Sequence, residues 1–536
     1  MAKKTFIKGA AVLGAAGLLV QVMGAVMRIP LANIIGEEGM GYFQTAYPIY
    51  VFLLVFSTNG APAAISKMTS ERIAVGEYAE AHRVFKLAFT LMFAFGLIAF
   101  LAVFFFAEPL VKIFNNPGAY YAMAAISPAL LFVPVMSVFR GYFQGMQEML
   151  PTAASQLIEQ AVRVSVSLVL AVALVPKGIK IAAAGGSLGT SAGPVAGVLA
   201  LMVIYWIRRG GVRSRIIKDQ NPERVKAGEL LKTLAALAIP TTIGVSILPI
   251  MNIVDVLISM GRMQAAGFSE QEANSLYGLM SGFAAPIINI PMALALSVAI
   301  SLVPAVAAAK STEDRGFLDT NIKMGLRTAM LIGVPCSFGL MLLARPIMTL
   351  IYPMKAESAA GAAACLAILG GGVIFLSVAQ TMAGILQGLG KASLPVISLL
   401  AGVAVKTVST WFLAAVPSLN IDGAALGSTL GYLVIALLNL YYVKNLTNIN
   451  FDIKLSVLKP LACGAMMGVT VTAVYYALAG LLGGSLSCLL AICAGAAVYV
   501  AAVFKIGAIQ ADELSLISAG GRLAAVFKRI KSWNGK

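Results

Sequence analysis

Histidine occurs once in the 536 residues, at His82, and acidic side chains number only 22. One histidine cannot build a histidine-based zinc site or an intramembrane histidine relay. The five cysteines, Cys336, Cys365, Cys463, Cys488 and Cys493, all fall inside apolar stretches without metal-ligand spacing or a pairing pattern, so packing is their expected role. No G-x-x-x-x-G-K-[ST] phosphate loop is present. The run Gly185-Gly186-Ser187-Leu188-Gly189 lacks the lysine and is read as a helix start whose glycines pack against neighbouring helices. Direct ATP hydrolysis is thereby disfavoured, and no ordered acid–base or nucleophile–base set points to an enzyme. His82 itself is expected in a basic cytoplasmic loop.

Charge is the other scarcity. Charged residues make up 11% of the chain, against about 25% in soluble domains, while 60% is hydrophobic and the mean hydropathy is +0.90. Phe89 to Ala107 is a nineteen-residue stretch without a charge, and similar runs recur along the chain. Roughly 20 such residues at 1.5 Å each cross a bilayer as a helix, and the alternating segments of a membrane barrel are lacking. The expected fold is therefore an all-α integral membrane protein of about fourteen transmembrane helices, the first at 5–31 read as an uncleaved span, the second at 40–66, the seventh at 229–260 and the last two at 456–481 and 485–506.

With the N-terminus placed in the cytoplasm, most of the 39 Lys and Arg fall in cytoplasmic segments, as the positive-inside rule requires. Both termini are expected inside. The net charge of +17 needs no nucleic acid, because anionic membrane lipid attracts such loops at about 1 kcal/mol per basic residue. The basic segment 208–232 separates an N-terminal lobe (1–207) from a C-terminal lobe (233–444), followed by two further spans (445–506) and a cytoplasmic tail (507–536). A repeat supports two lobes of six: Gly141-Tyr142-Phe143-Gln144-Gly145 and Pro151 recur as Gly384-Ile385-Leu386-Gln387-Gly388 and Pro395, and Arg163 recurs as Lys406. Secondary transporters are commonly built from such repeats, with substrate held at their interface.

Charges inside spans are informative, since each costs at least about 2.5 kcal/mol to insert. Arg28 lies in the first span, Glu159 and Arg163 in the fifth, Asn252 and Asp255 in the seventh, and Lys406 in the eleventh. Glu159 and Arg163, four apart, share one helix face and can neutralise each other. They also fit a second reading, in which Arg28, Arg163 and Lys406 form an interior positive surface for an anionic head group, with Glu159 and Asp255 as counter-charges. Arg327 and Lys67 are expected to snorkel at helix ends. The polar insertion Ser57-Thr58-Asn59-Gly60-Ala61-Pro62 predicts a kink, with Asn59 facing a cavity.

The stretch from Arg140 through Gln144 to Pro151, continuing in Ser155, Gln156, Glu159, Gln160 and Arg163, resembles the signature of the SpoVB/YtgP (MurJ-like) branch of bacterial polysaccharide transporters. Met27-Arg28-Ile29-Pro30-Leu31 and Gly60 to Lys67 are similar to the first two helices of that branch. The resemblance implies membership of the multidrug/oligosaccharidyl-lipid/polysaccharide flippase superfamily: two lobes in a MATE/MurJ-like V shape, a cationic cavity, alternating access, and two C-terminal helices that form a lipid-tail groove. It implies an undecaprenyl-linked saccharide as cargo, lipid II foremost, with Arg28 matching a cavity arginine and cell-wall synthesis enzymes as potential partners. Gln21 stands where the family has an earlier arginine, and Tyr277 to Pro291 lacks another; these departures widen the cargo to lipid-linked saccharides, spore-cortex precursors included. Asn252 and Asp255 are the expected coupling residues, served by a monovalent cation (sodium or a proton) or, if Lys406 replaces the ion beside Asp255, by membrane potential. The rival readings are a multidrug extruder, which would have twelve spans and an acidic cavity, and a non-transporting scaffold for wall synthesis, which would not need buried cavity charges.

Overall fold

The computed structural model describes residues 2–55, 60–217 and 225–509, and every regular element among them is helical. In order these are α1 (Ala2–Val55), α2 (Ala61–Ala74), α3 (Tyr78–Phe105), α4 (Ala107–Ile113), α5 (Tyr120–Ile126), α6 (Ala129–Gly145), α7 (Leu150–Leu174), α8 (Ile179–Ile217), α9 (Ala227–Ala265), α10 (Glu270–Gly278), α11 (Ala285–Ser311), α12 (Arg315–Leu342), α13 (Ala344–Ile351), α14 (Ala356–Gly361), α15 (Ala363–Gly388), α16 (Ser393–Leu413), α17 (Asn420–Thr447), α18 (Lys459–Leu482) and α19 (Gly484–Ile506). Among the described residues, twelve helical stretches are long and apolar enough to cross a membrane. Two features account for the difference from the fourteen expected. Helix α1 is broken at Gly36, whose φ of 69° is open to glycine and strained for other residues. Arg28 and Tyr47 on either side of that break stand 5.1 Å apart, guanidinium to ring centroid, although nineteen residues of straight helix would separate them by about 28 Å. The chain therefore doubles back at Gly36, and α1 is two spans. The seventh span is α9, some of whose side chains lie outside the described residues. Counting these brings the twelve to fourteen.

Packing divides the chain into two compact units, Met1–Gly282 and Phe283–Lys536. The first holds α1 to α10. Tyr42, Phe43, Met40, Leu31 and Ile35 of α1, Ile65 of α2 and Phe143 of α6 are among its fully buried side chains. His82 lies on α3 rather than in a loop, stacked on Phe85 and Tyr205 with ring centroids 5.7 and 6.5 Å away. Its surroundings are aromatic because α3, α6 and α8 each bring a ring to this end, so the lone histidine is a packing residue. In the second unit α11, α12, α15 and α17 enclose a core of Leu302, Val306, Leu326, Met330, Met382 and Ile385. Spans α18 and α19 pair with each other, and α18 lies on α12. Arg327 of α12 is buried at 6% exposure, where snorkelling was expected; Lys67 does lie exposed, beside Glu71.

The boundary between the two packing units falls inside the eighth span, which runs from Glu270 to Ser311. There a π-helical stretch, Leu279–Ala284, joins α10 to α11. On its near side Gln44 donates to the Ser281 carbonyl at 2.7 Å, and on its far side Tyr352 donates to that of Phe283 at 2.9 Å. A π turn displaces the helical hydrogen-bond ladder by one residue, and neighbouring side chains here bond its carbonyls. The six-plus-six lobes remain a proposal about repeats, distinct from this division by packing.

Candidate functional site

Three charged side chains of the first unit meet between α6 and α7. Glu159 accepts a hydrogen bond from Arg140 Nη2 at 2.9 Å and lies 3.7 Å from Arg163. These side chains retain only 11 to 15% of their exposure. Arg140 Nε also donates to Ser155 Oγ at 3.0 Å, and Arg163 Nη2 to the Tyr50 hydroxyl at 2.6 Å. Arg28 covers the face of Tyr47, whose hydroxyl is within electrostatic reach of Arg28, Arg163 and Glu159 together. Two guanidiniums thus hold one carboxylate, and a third, Arg28, lies against Tyr47 beside them. A charge taken out of water needs close partners, and Arg163 Nε, although buried, has no hydrogen-bond partner.

Small residues make this possible. A β-carbon on Gly193 of α8 would come within 2.8 Å of the Glu159 carbonyl oxygen and 3.0 Å of Arg163 Cβ, and one on Gly189 would meet the Arg163 carbonyl at 2.6 Å. Helix α8 can therefore lie directly against the charged stretch of α7. The glycine-rich run of α8 serves as the packing segment expected of it: Gly185 faces the Leu170 backbone and Gly186 faces Leu31.

Beside the cluster is a cavity of about 330 Å³ lined by Pro62 and Ala63 of α2, Met136, Ser137, Arg140 and Gln144 of α6, and Thr152 and Gln156 of α7. Thr152 Oγ1 and Gln156 Oε1 are buried without hydrogen-bond partners. The lining offers one guanidinium, two amides and two hydroxyls, a set suited to a polyhydroxylated or anionic group of modest size.

The structure brings Arg28, Arg140, Gln144, Glu159 and Arg163 into one region of the first unit. Asn59 lies outside the described residues. Asn252 and Asp255 sit one turn apart on α9, exposed and half-buried respectively, with Asp255 in electrostatic reach of Tyr277. Lys406 is in the second unit, buried at 7% exposure on α16. Tyr47, Tyr50, Thr152 and Gln156 were missed. The three-residue spacing of the tyrosines on one helix face, in the span following Arg28, was a legible signal.

A bundle of apolar spans carrying a buried, net cationic cluster beside a polar cavity is the structure of a multi-pass membrane transporter. The chain matches the family model described as polysaccharide biosynthesis protein over residues 6–310 and the MatE model over 280–412. It is 30% identical over 531 residues to stage V sporulation protein B of Bacillus subtilis (strain 168), covering 98% of this chain and 99% of that protein. To the lipid II flippase MurJ of the same organism it is 28% identical over 527 residues, 94% and 96% covered. A solved MurJ structure in an inward closed conformation superposes with a TM-score of 0.66 at 16% identity, covering 92% of this chain and 98% of that one, which speaks for the fold. The chain belongs to the polysaccharide biosynthesis protein family of the multidrug/oligosaccharidyl-lipid/polysaccharide superfamily, whose members are transporters rather than enzymes.

Proposed function

We propose that this protein is a flippase that carries a lipid-linked oligosaccharide from the inner to the outer leaflet by alternating access, with lipid II the leading cargo and a spore-cortex precursor the next. The observation that carries the reading is the cluster itself: two largely buried arginines held by one glutamate, with Arg28 on the neighbouring Tyr47, beside a cavity rich in amides and hydroxyls. Guanidinium forks match phosphate oxygens in pairs. The cargo's diphosphate is assigned to Arg28, Arg140 and Arg163, and its first sugar to the cavity lined by Gln144, Thr152 and Gln156. The full-length identity to a protein named lipid II flippase and to one named for stage V sporulation supports the cargo class. Coupling is assigned to Asn252 and Asp255, through a monovalent cation or the membrane potential, and both termini to the cytoplasm of a bacterial cell.

The test is complementation. A bacterium depleted of its own lipid II flippase receives the wild type or Arg28→Ala, and lipid II in the inner leaflet is followed. Rescue by the wild type alone is expected. Failure of a correctly inserted wild type would move the cargo to another lipid-linked saccharide, and equal rescue by both would remove Arg28 from the mechanism.

A further inference from the structure

Among the described residues, Glu159 is the one acidic side chain seen bonded into the arginine cluster, and it holds two of the three arginines at once. Its carboxylate takes Arg140 across from α6 at 2.9 Å and lies 3.7 Å from Arg163 one turn along α7. A carboxylate bridging two guanidiniums imitates what a phosphate does between the same two groups, with oxygens accepting from separate forks. The cluster is also incomplete as a self-neutralised pair. Three arginines and one glutamate leave two positive charges, and the buried Arg163 Nε is a donor without a partner. Two surplus charges match a doubly charged diphosphate.

The repeat shows what the position can hold. With the offset of 243 residues that aligns Arg163 with Lys406, Glu159 falls on Gly402. In the second unit that site is closed, because a β-carbon on Gly402 would come within 2.8 Å of the Gly431 carbonyl and collide with Ile435. Packing at this crossing is satisfied by glycine. The carboxylate in the first unit is thus an addition to the shared scaffold, not a requirement of it.

We propose that Glu159 is a displaceable stand-in for the cargo's phosphate: it occupies Arg140 and Arg163 while the site is empty and yields them when a diphosphate arrives. This rests on the assignment of the arginines to the cargo's diphosphate. A stand-in of this kind keeps the arginines ordered and reduces the cost of their burial in the empty protein, at the expense of affinity. It also gives release a driving force, because Glu159 returns to the arginines as the diphosphate leaves. Competition lowers apparent affinity by the fraction of time the site is free.

The full-length protein in phosphatidylcholine nanodiscs, titrated with farnesyl diphosphate and with farnesol as the uncharged control, separates the possibilities. Glu159→Gln should bind the diphosphate about tenfold more tightly, as expected if the arginines are free roughly a tenth of the time in the wild type, with farnesol unaffected. Glu159→Asp, whose shorter arm cannot span to α6 while keeping Arg163, should fall between, and it serves where the glutamine variant does not insert. In a leaflet-transfer assay with lipid-linked saccharide, both variants should show a lower KM with a lower kcat, a split that loss of packing alone does not give. Arg163→Gln should weaken diphosphate binding. Weakening by Arg163→Gln with unchanged or weaker binding in both Glu159 variants would overturn the stand-in while sparing the arginine assignment. Unchanged binding in Arg163→Gln would overturn that assignment, and the stand-in with it.

Discussion

In the first unit α7 crosses α8 with Arg163 seated between Gly189 and Gly193; in the second α16 crosses α17 with Lys406 seated between Gly427 and Gly431. The contacts correspond in detail. A β-carbon on Gly193 would meet the carbonyl of Glu159 and Arg163 Cβ at 2.8 and 3.0 Å, and one on Gly431 would meet the carbonyl of Gly402 and Lys406 Cβ at 2.9 and 3.1 Å. One crossing further, Gly141 and Gly145 press on Pro62 and Ser66 of α2 just as Gly384 and Gly388 press on Ala299 and Val303 of α11. The two units therefore share a scaffold of glycine contacts and differ in the chemistry placed on it: arginine with a carboxylate partner in one, lysine beside a glycine in the other. Scaffold positions answer to close packing, while the proposed function gives the first unit's charges to cargo.

The sharpest way to break this comparison is to neutralise each cation in turn. Arg163→Gln should reduce cargo transfer about ten- to a hundredfold, the equivalent of roughly 1.5–3 kcal/mol for a charge-assisted hydrogen bond. Lys406→Gln, measured in the same leaflet assay, tells whether the second unit's cation serves cargo at all; an equal loss would make the two sites equivalent despite their chemistry. Next come the glycines. Gly141→Ala and Gly384→Ala should each cost about 1–3 kcal/mol of stability through overpacking, read as a lower thermal midpoint in detergent, and a loss in only one unit would end the idea of a shared scaffold. The smallest effect concerns the aligned hydroxyls. Ser167 donates to the Gly186 carbonyl at 2.7 Å, so Ser167→Ala should cost about 1 kcal/mol. Thr410 Oγ1 is buried without a partner, and Thr410→Val should cost less than that.

Much of this was legible beforehand, for physical reasons. Span number and helical class follow from apolar run length alone, since only a helix satisfies its backbone within lipid. Arg28, Glu159 and Arg163 could be found because charge inside an apolar run is conspicuous. The repeat was visible through glycines that cannot be replaced without moving a helix. What stayed hidden depends on side chains meeting across distant segments. Arg140 stood within the signature stretch, and only the fold shows it bonded to Glu159, nineteen residues along. The spacing of Tyr47 and Tyr50 was visible, but only the reversal at Gly36 sets Tyr47 against Arg28. His82 was misplaced because its basic neighbours read as loop, whereas its ring joins an aromatic cluster.

The joint at Leu279–Ala284 also bears on how the protein is made. Domains tend to fold from the N-terminus as the chain emerges. Here the first unit includes α9 and α10, and Asn274 of α10 donates to the Glu38 carbonyl at 2.9 Å and accepts from Asn116 at 2.8 Å. Asn116 also donates to Thr45 Oγ1 at 2.8 Å, but its second bond and the one to the Glu38 carbonyl are made only once α10 has been synthesised. A ribosome that has passed the basic segment 208–232 has thus delivered six spans and still not a finished folding unit. Nascent chains stalled before Glu270 should remain protease-sensitive, and those stalled well beyond Ser311 should not.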